Sequence, residues 1–243
     1  MPHTRIPALI FILLPGLALS ACTKEDLLRG AGQVAEQIGS NQGLTQADIE
    51  AGLREALKVG TGRVSDELGA VDAFQDDPLI HIPLPAQLRE VDEALSKIGL
   101  GRYGDELELK LNRAAERAAP AARDVFWSAI RQMSLRDVMD IYNGPDDAAT
   151  QYFKQAMTAE LAERMRPIID EAMLEVGAIR TYDETMQKYD ALPFLPDVKA
   201  DLTEHVVDGA LGGLFHYLAE EEAAIRNDPA ARTTELLRRV FGR

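Results

Sequence analysis

Two histidines in one segment are the side chains best suited to catalysis or metal binding. His205 and His216 stand eleven residues apart in a stretch with helical periodicity, so they share a helix face. They lie about 16 Å apart along the helix axis, too far to share a metal ion. Either could act with carboxylates from other helices, but no Glu-x-x-His pair supports a di-metal bundle site. His81 lies in a proline-rich segment without an identifiable partner, so no metal or cofactor is predicted.

A glycine-rich segment matches the fingerprint of dinucleotide-binding proteins. Gly99-Leu-Gly101-Arg-Tyr-Gly104 has the required spacing. That fingerprint works where a strand delivers the glycine turn and a helix amino terminus then meets the pyrophosphate. Here the preceding residues have helical periodicity, and no strand–helix–strand unit surrounds the segment. It is therefore interpreted as a corner between two helices.

A set of polar side chains lies on helices that are otherwise apolar. Two interpretations stay open: the set forms ion pairs and caps that fix helix register, or some members converge on a polar pocket. The run of three glutamates at 220–222 is interpreted as a solvated helix face. The set comprises Asn112, Arg113, Glu116, Thr150, Gln151, Glu220, Glu221, Arg226, Arg232 and Thr233.

Composition and charge exclude several classes of protein. The 243 residues are 46% hydrophobic and 27% charged, which is typical of a globular domain. A formal charge of −14 argues against nucleic-acid binding and against electrostatic attraction to anionic lipid. The single cysteine excludes an internal disulfide and a multi-thiolate metal site.

Helical periodicity dominates the chain beyond its first 44 residues. It predicts an all-α fold: a single multi-helix bundle domain of about ten helices, spanning residues 45–243. Two sites have the form of capping boxes, which mark helix starts. They are Thr45-Gln-Ala-Asp48 and Ser134 with Asp137.

Other residues predict breaks and contacts within this bundle. Pro167 is predicted to kink or divide a long helix, because its ring clashes with the carbonyl four residues back. The pair Asp228-Pro229 is predicted to open a last helix that ends at Gly242. Gly209 and Gly213, four residues apart, are predicted to permit close contact between helices.

Two proline-containing segments are predicted to lie over the bundle. Between Phe74 and Pro85 three prolines preclude regular helix, while Ile80, Ile82 and Leu84 alternate with other residues. This pattern predicts a covering arm that presses one apolar edge onto the domain. Leu192-Pro-Phe-Leu-Pro196 is interpreted as an apolar loop across the core.

The amino-terminal residues have the pattern of an export signal. A weakly basic head precedes a short apolar run that prolines interrupt, which is typical of a secretory signal and too short for a membrane span. The run ends in Leu19-Ser20-Ala21-Cys22, which resembles the bacterial lipobox. The resemblance implies a diacylglycerol thioether on Cys22, cleavage before it, and usually a third acyl chain on its amine.

Cleavage at the lipobox divides the chain into three predicted parts. Residues 1–21 are the signal peptide, 22–44 a flexible tether with a weak helix, and 45–243 the helical domain. Two or three acyl chains hold a protein stably on a membrane, whereas one chain binds marginally. Thr23 stands where an aspartate would, by resemblance to the sorting rule, retain the protein in the inner membrane. The prediction is a lipid anchor in the inner leaflet of the outer membrane, facing the periplasm.

Six blocks of sequence carry a family resemblance. They resemble an uncharacterised bacterial family, domain of unknown function 4197, from about Leu44 to the C-terminus. The resemblance implies an exported helical domain with no established activity, and it supplies no catalytic residues. The blocks are Ala56-Leu-Lys-Val-Gly-Thr61, Ile82-Pro-Leu-Pro85, Asn112-Arg-Ala-Ala-Glu116, Ala149-Thr-Gln-Tyr-Phe153, Leu192-Pro-Phe194 and Asn227-Asp-Pro-Ala-Ala-Arg-Thr-Thr-Glu-Leu-Leu237.

Two functional hypotheses follow. The first is a non-enzymatic, lipid-anchored periplasmic domain that binds an envelope protein or an apolar ligand. The alternative is an envelope hydrolase that uses carboxylates, with His205 or His216, in a cleft between helices. An enclosed apolar cavity or a broad apolar patch would favour the first. A cleft that gathers a histidine, an acid and a nucleophile would favour the second.

Overall fold

Every regular element in the described part of the chain is a helix. The computed structural model describes residues 44–190 and 201–242. The predicted all-α fold is confirmed, whereas the signal peptide, Cys22, most of the tether and the 192–196 loop lie outside the described residues. The helices are α1 (Gln46–Leu68), α2 (Ala86–Ser96), α3 (Arg102–Ala118), α4 (Ala122–Gln132), α5 (Leu135–Tyr142), α6 (Ala148–Val176), α7 (Ala178–Asp190), α8 (Leu202–Asn227) and α9 (Glu235–Phe241), with short 3-10 helices at Ala119–Ala121 and Pro229–Ala231.

Helix α8 is the centre of the bundle. It packs against α1, α3 and α6, and α3 packs against α6 on the far side. Its buried residues include Val206, Val207, Ala210 and Leu214, so its apolar stripe is wide enough to meet several neighbours. Helix α7 lies on α3 and α6, and the short helices α5 and α9 pack on α1. None of the described helices has the length and apolar character needed to span a membrane.

Helices α1 and α5 begin at the two capping boxes that the sequence predicts. The Asp48 amide donates to the Thr45 hydroxyl (3.1 Å), and the Thr45 amide donates back to the Asp48 carboxylate (3.0 Å). Ser134 and Asp137 repeat the arrangement at the start of α5. In both boxes the hydrogen bonds from the serine or threonine lower the pKa of the aspartate. Both predicted capping boxes are confirmed.

The structure excludes a division of the long helix at Pro167 and moves the start of the last helix. Helix α6 continues through Pro167 without dividing, because Met165 and Ile169 on either side are both buried in the core. Asp228 caps only a 3-10 turn, and the last helix begins later, after Thr234. The Arg232 guanidinium stabilises the break between them by turning back onto the end of α8, where it donates to the Ile225 carbonyl (3.0 Å).

The segment between α1 and α2 forms the predicted covering arm. We call residues 69–85 the arm. Residues 69–80 consist mostly of turns, and residues 81–85 have no regular secondary structure. Four of its apolar side chains, Phe74, Ile80, Ile82 and Leu84, are buried. The arm is therefore part of the core.

Two glycines of α8 permit this close contact. A Cβ on Gly209 would lie 2.7 Å from the Ile82 side chain, and one on Gly213 would lie 2.7 Å from the Phe74 ring. The prediction that these glycines serve a contact between helices is wrong, because the arm occupies the space beside them. A sequence pattern of small residues indicates close approach but does not identify what approaches.

Alanine substitutions at these glycines should separate packing from helix propensity. Gly213→Ala is expected to lower the free energy of unfolding by about 1–2 kcal/mol, because the new methyl group must displace Phe74. Gly212→Ala should instead raise it by about 0.5–1 kcal/mol, since nothing lies within 4 Å of the added atom and alanine favours helix. Urea unfolding of both variants measures the difference, and equal effects would contradict the packing described here.

Candidate functional site

Asn112 binds the main chain of the arm. This buried side chain on α3 accepts a hydrogen bond from the Ile82 amide (2.9 Å) and donates one to the Ile82 carbonyl (2.8 Å). Its amide group also donates to the Glu108 carbonyl one turn back in α3 (2.9 Å). The carboxamide thus satisfies both main-chain polar groups of a buried residue, which water cannot reach.

Two carboxylates extend this pattern along α3. Glu108 accepts from the Leu84 amide (2.9 Å), and Glu116 accepts from the amides of Phe74 (3.2 Å) and Gln75 (3.4 Å). Because Glu108, Asn112 and Glu116 are four residues apart, they lie in one row on the helix. We call these three side chains the α3 row. The row provides partners for amides of the arm that have no sheet or helix to pair with.

Arg113 joins the row to the turn that starts the arm. Its guanidinium contacts Asp72 and donates to Glu116 (2.8 Å). The hydrogen bonds to Glu116 and Asp72 raise the pKa of Arg113. Asp72 has a positive φ of 70°, a conformation uncommon outside glycine. The ion pair therefore stabilises a strained turn.

Helix α8 holds the opposite side of the arm. His205 Nε2 lies 2.7 Å from the Pro83 carbonyl oxygen, and the Tyr217 hydroxyl donates to Asp77. That hydrogen bond raises the pKa of Tyr217 to about 12 and lowers the pKa of Asp77. His81, within the arm, lies between the Gln75 carbonyl (3.0 Å) and Glu108 (2.9 Å).

Glu222 forms a second polar group, at the start of α6. One of its oxygens accepts from the Ala149 amide, and the other accepts from the Thr150 amide, each at 2.9 Å. The Thr150 hydroxyl donates to the same carboxylate (3.0 Å). Asp147, the residue before the helix, makes no side-chain cap. A carboxylate from α8 therefore caps α6, where the helix dipole favours negative charge.

Arg226 completes this group at the end of α5. It forms an ion pair with Glu222 (2.9 Å) and donates to the Ile141 carbonyl (2.8 Å). Both side chains are almost fully enclosed, with 10% of Arg226 and 7% of Glu222 exposed. We call Glu222 and Arg226 the buried pair. Each charge lies at the helix end whose dipole it complements.

Arginine side chains donate hydrogen bonds to the carbonyl groups at the carboxyl ends of two further helices. Arg54 of α1 contacts the Ile130 carbonyl and donates to the Met133 carbonyl (2.6 Å), both at the end of α4. Arg232 donates to the Ile225 and Arg226 carbonyls at the end of α8. These guanidinium groups replace the hydrogen bonds that terminal carbonyls lack within a helix.

The predicted polar set thus separates into two groups and several isolated side chains. Asn112, Arg113 and Glu116 hold the arm, whereas Thr150 and Arg226 meet at Glu222. Gln151 is exposed and donates to Asp147, and Thr233 is close to the α9 cap without a side-chain hydrogen bond among those found in the described residues. The interpretation of residues 220–222 as a solvated face is wrong for two of the three. Glu222 is buried, and Glu221 pairs with Arg63.

The histidines and the glycine-rich segment are spread over the fold. His216 lies 3.5 Å from Glu220 on its own helix, whereas His205 contacts the arm. Among residues 44–190 and 201–242, no group of three His, Cys, Asp or Glu side chains could hold a metal ion. The segment 99–104 spans the corner from α2 to α3, with Gly99 at a φ of 81°, and the interpretation as a corner is confirmed.

Glu108 and Glu222 hold main-chain amides in the fold, and the sequence interpretation missed this role for both. Each resembles an ordinary exposed acid in the sequence, because its partners are main-chain amides far along the chain. The spacing of Glu108 from Asn112 and Glu116 is a usable signal. Four-residue spacing places three side chains in one row on a helix, where they can pair with main-chain amides of a segment that lacks regular structure.

One apolar cavity and two open grooves among the described residues differ in size and chemistry. An apolar cavity of about 20 Å³ lies between α1, α8 and α9, with the buried pair at its wall. An open groove of about 450 Å³ at the α6–α7 corner contains Leu174, which is 67% exposed. A second open groove, of about 320 Å³, lies at the α5–α6 corner and includes Gln151 and Tyr152.

Comparison with known proteins identifies the family of the chain. A family model described as "Protein of unknown function (DUF4197)" matches residues 43–242. Comparisons with curated proteins and with solved structures find no match. The matched region includes the arm, the α3 row and the buried pair. The chain therefore belongs to the DUF4197 family, and the family resemblance drawn from its sequence blocks is confirmed.

Proposed function

We propose that this protein is a lipid-anchored helical domain of the bacterial envelope that binds a protein partner and catalyses no reaction. The observation that carries the proposal is the lipobox-like sequence Leu19-Ser20-Ala21-Cys22, which contains the sole cysteine of the chain. Acylation there would tether the bundle to a membrane through residues 23–43. Thr23 in place of an aspartate favours the outer membrane, with the bundle facing the periplasm.

The hydrogen bonds of Glu116 and Glu222 argue against the hydrolase alternative at these two carboxylates. Glu116 and Glu222 accept main-chain hydrogen bonds and also pair with arginine. A general base needs a lone pair that faces the substrate, and these lone pairs already hold the arm and cap α6. His205 and His216 contact different partners, so neither joins these carboxylates in one cleft.

The small size of the apolar cavity beside the buried pair favours a protein partner over an apolar ligand enclosed there. The 20 Å³ cavity can hold roughly one water molecule and excludes a lipid chain. The two larger grooves are open and have charged residues at their rims, including Arg180 and Asp183 in one and Asp137 in the other. Open surfaces of this kind suit contact with another protein.

Metabolic labelling tests the anchor. In cells given an alkyne fatty acid, the wild-type chain should become labelled and fractionate with the outer membrane. Cys22→Ser should lose the label and accumulate as unprocessed precursor, since the thiol that accepts the lipid is absent. Thr23→Asp is the matched control, and it should keep the label but move to the inner membrane. Equal retention of an unprocessed, unlabelled precursor in wild type and Cys22→Ser would refute the proposal.

A further inference from the structure

The open groove at the α5–α6 corner has an apolar floor and an acidic rim. Ile141, which is buried, and Tyr152, which is half-buried, form the floor. Asp137 and Asp140 line the groove from α5, and the Asp140 side chain is 72% exposed. The described residues that line this space of about 320 Å³ include no basic side chain. We call it the corner groove.

The buried pair holds both helix ends that form the corner groove. Arg226 donates to the Ile141 carbonyl at the end of α5. Glu222 accepts from the Ala149 and Thr150 amides at the start of α6. The same ion pair therefore fixes the two walls from the inside of the bundle. A site held in this way is pre-organised, which lowers the entropic cost of binding.

The carboxylates of the corner groove keep their negative charge in the presence of the nearby arginines. Arg54 already pairs with Glu50 on its own helix. Arg136 lies 3.6 Å from Asp140, but both side chains are highly exposed, so water screens this pair. Asp137 stays ionised at neutral pH, because hydrogen bonds from the capping serine lower its pKa. The groove therefore presents negative charge to a cationic ligand.

Asp140 lies where an acidic side chain weakens the helix that carries it. It is in the last turn of α5 (Leu135–Tyr142), and the dipole of a helix disfavours negative charge there. Its pairing with Arg136 also has the less favourable order, with the base nearer the amino terminus. Helix stability thus does not account for an acid at this position, whereas a cation bound in the groove does.

The α6 wall of the corner groove carries amide groups in place of charges. Gln151 and Gln155 lie one turn apart and both line the groove. Gln151 donates to Asp147 (3.0 Å) through its nitrogen, so its carbonyl oxygen is the acceptor that it offers to a ligand. Carboxamides pair with the main chain of a peptide, whereas a small free amine would use the carboxylates alone. This wall therefore favours a polypeptide.

We propose that the corner groove binds a lysine- or arginine-bearing segment of a partner protein. This inference rests on the proposed binding function and identifies its site and the chemistry of the partner. The aliphatic stem of the basic side chain lies over Ile141 and Tyr152, whose ring also attracts a cation. Its charged end meets Asp137 and Asp140. The formal charge of −14 on the whole chain steers a basic segment toward the protein.

Binding of a fluorescein-labelled Lys-Ala octapeptide to the full-length protein tests this inference by anisotropy. Asp140→Lys should weaken binding about tenfold, because it reverses a charge at the rim. It should do so without lowering the urea midpoint of unfolding, since lysine suits the last turn of α5 better than aspartate. A folded Asp140→Lys protein that binds the peptide as wild type does would overturn the inference.

Glu184→Lys is the matched control for the total charge. Glu184 is likewise an exposed acid four residues from an arginine of its own helix, but it lies on α7, which follows the opposite end of α6. The reversal should change peptide binding less than about twofold. Equal weakening by Asp140→Lys and Glu184→Lys would show attraction to the net charge alone and would overturn the corner groove as a site.

Zero-length cross-linking of the wild-type protein locates the bound peptide without any variant. Carbodiimide joins a lysine amine of the peptide to a carboxylate that touches it, and mass spectrometry identifies the linked residues. The links should concentrate on Asp137 and Asp140. An even spread over the exposed carboxylates, or a concentration elsewhere, would contradict the proposed site.

Two other ligands test the chemistry of the occupant. A Gln-Ala octapeptide should bind much more weakly than the Lys-Ala peptide, because it lacks the charges. Equal binding of the two peptides would show that the groove takes an uncharged segment, and spermidine that binds as tightly as the Lys-Ala peptide would show a site for free amines. Either result overturns the inference. Neither depends on Cys22, so failure of this site is distinguishable from failure of the proposed anchor.

Discussion

Glu222→Gln should lower the free energy of unfolding by about 3–5 kcal/mol, the range for breaking a buried ion pair. The substitution keeps the shape of the side chain but replaces one accepting oxygen with an amide that donates. In wild type both oxygens accept, one from Ala149 and Arg226 and the other from Thr150. The variant therefore turns a donor toward other donors and leaves the Arg226 charge without a counter-charge.

Urea unfolding followed by circular dichroism measures this loss. Glu220→Gln is the matched control, because Glu220 is two residues away on the same helix and its side chain is 57% exposed. Its effect should stay within about 0.5 kcal/mol. A double variant that also carries Arg226→Gln should lose less than the sum of the two single losses, since the charges interact. Similar values for Glu222→Gln and Glu220→Gln would contradict the structural role of the buried pair.

Asn112→Asp should lower the free energy of unfolding by about 2–4 kcal/mol, although the two side chains have almost the same size. The amide nitrogen of Asn112 donates to the Ile82 and Glu108 carbonyls. An aspartate would turn a carboxylate oxygen toward both carbonyls, in a site that is fully buried. The substitution therefore removes two hydrogen bonds and leaves a charge facing two acceptors.

Thermal and urea unfolding of this variant should be compared with those of Asn143→Asp. Asn143 makes the same kind of bond, to the Met139 carbonyl, but it lies in an exposed position at the end of α5. Water can replace that bond, so the control should change stability by less than about 1 kcal/mol. Hydrogen exchange at Ile82 should also accelerate in Asn112→Asp and stay unchanged in the control. A stable Asn112→Asp protein with a protected Ile82 amide would show that the α3 row does not hold the arm.

Features that depend on neighbours in the sequence were predictable. The two capping boxes join residues three apart, so Thr45 with Asp48 and Ser134 with Asp137 carry the whole signal. The arm was predictable as well, because prolines exclude helix and alternating isoleucines require one buried face. The corner at residues 99–104 followed from the helical periodicity before it.

Features that depend on distant partners were not predictable. Glu222 and Thr150 are 72 residues apart in the sequence. The residues around Glu222 give no sign that its carboxylate is buried and caps a distant helix. Gly209 and Gly213 indicated close packing, but the sequence could not show that the arm fills the space. Pro167 was predicted to kink or divide a helix, and the alternative of a division is wrong, because burial of the turns beside it keeps α6 continuous. In each case tertiary packing outweighs a local rule.

The polar set illustrates why sequence reasoning left two interpretations of the site open. Ion pairs, caps and catalytic clusters use the same residue types, and only their partners distinguish them. The partners found for Asn112, Glu116 and Glu222 are main-chain groups and arginines. Such contacts position the arm and the helix ends.

The mass of the mature amino terminus tests the proposed membrane anchor most directly. Protein extracted from native membranes with detergent should be digested, and its amino-terminal peptide analysed by mass spectrometry. The proposal predicts a peptide that starts at Cys22 and carries a diacylglycerol thioether, usually with a third acyl chain. A mature peptide with an unmodified Cys22 thiol, or one that retains residues before Cys22, would contradict the anchor and the envelope role built on it.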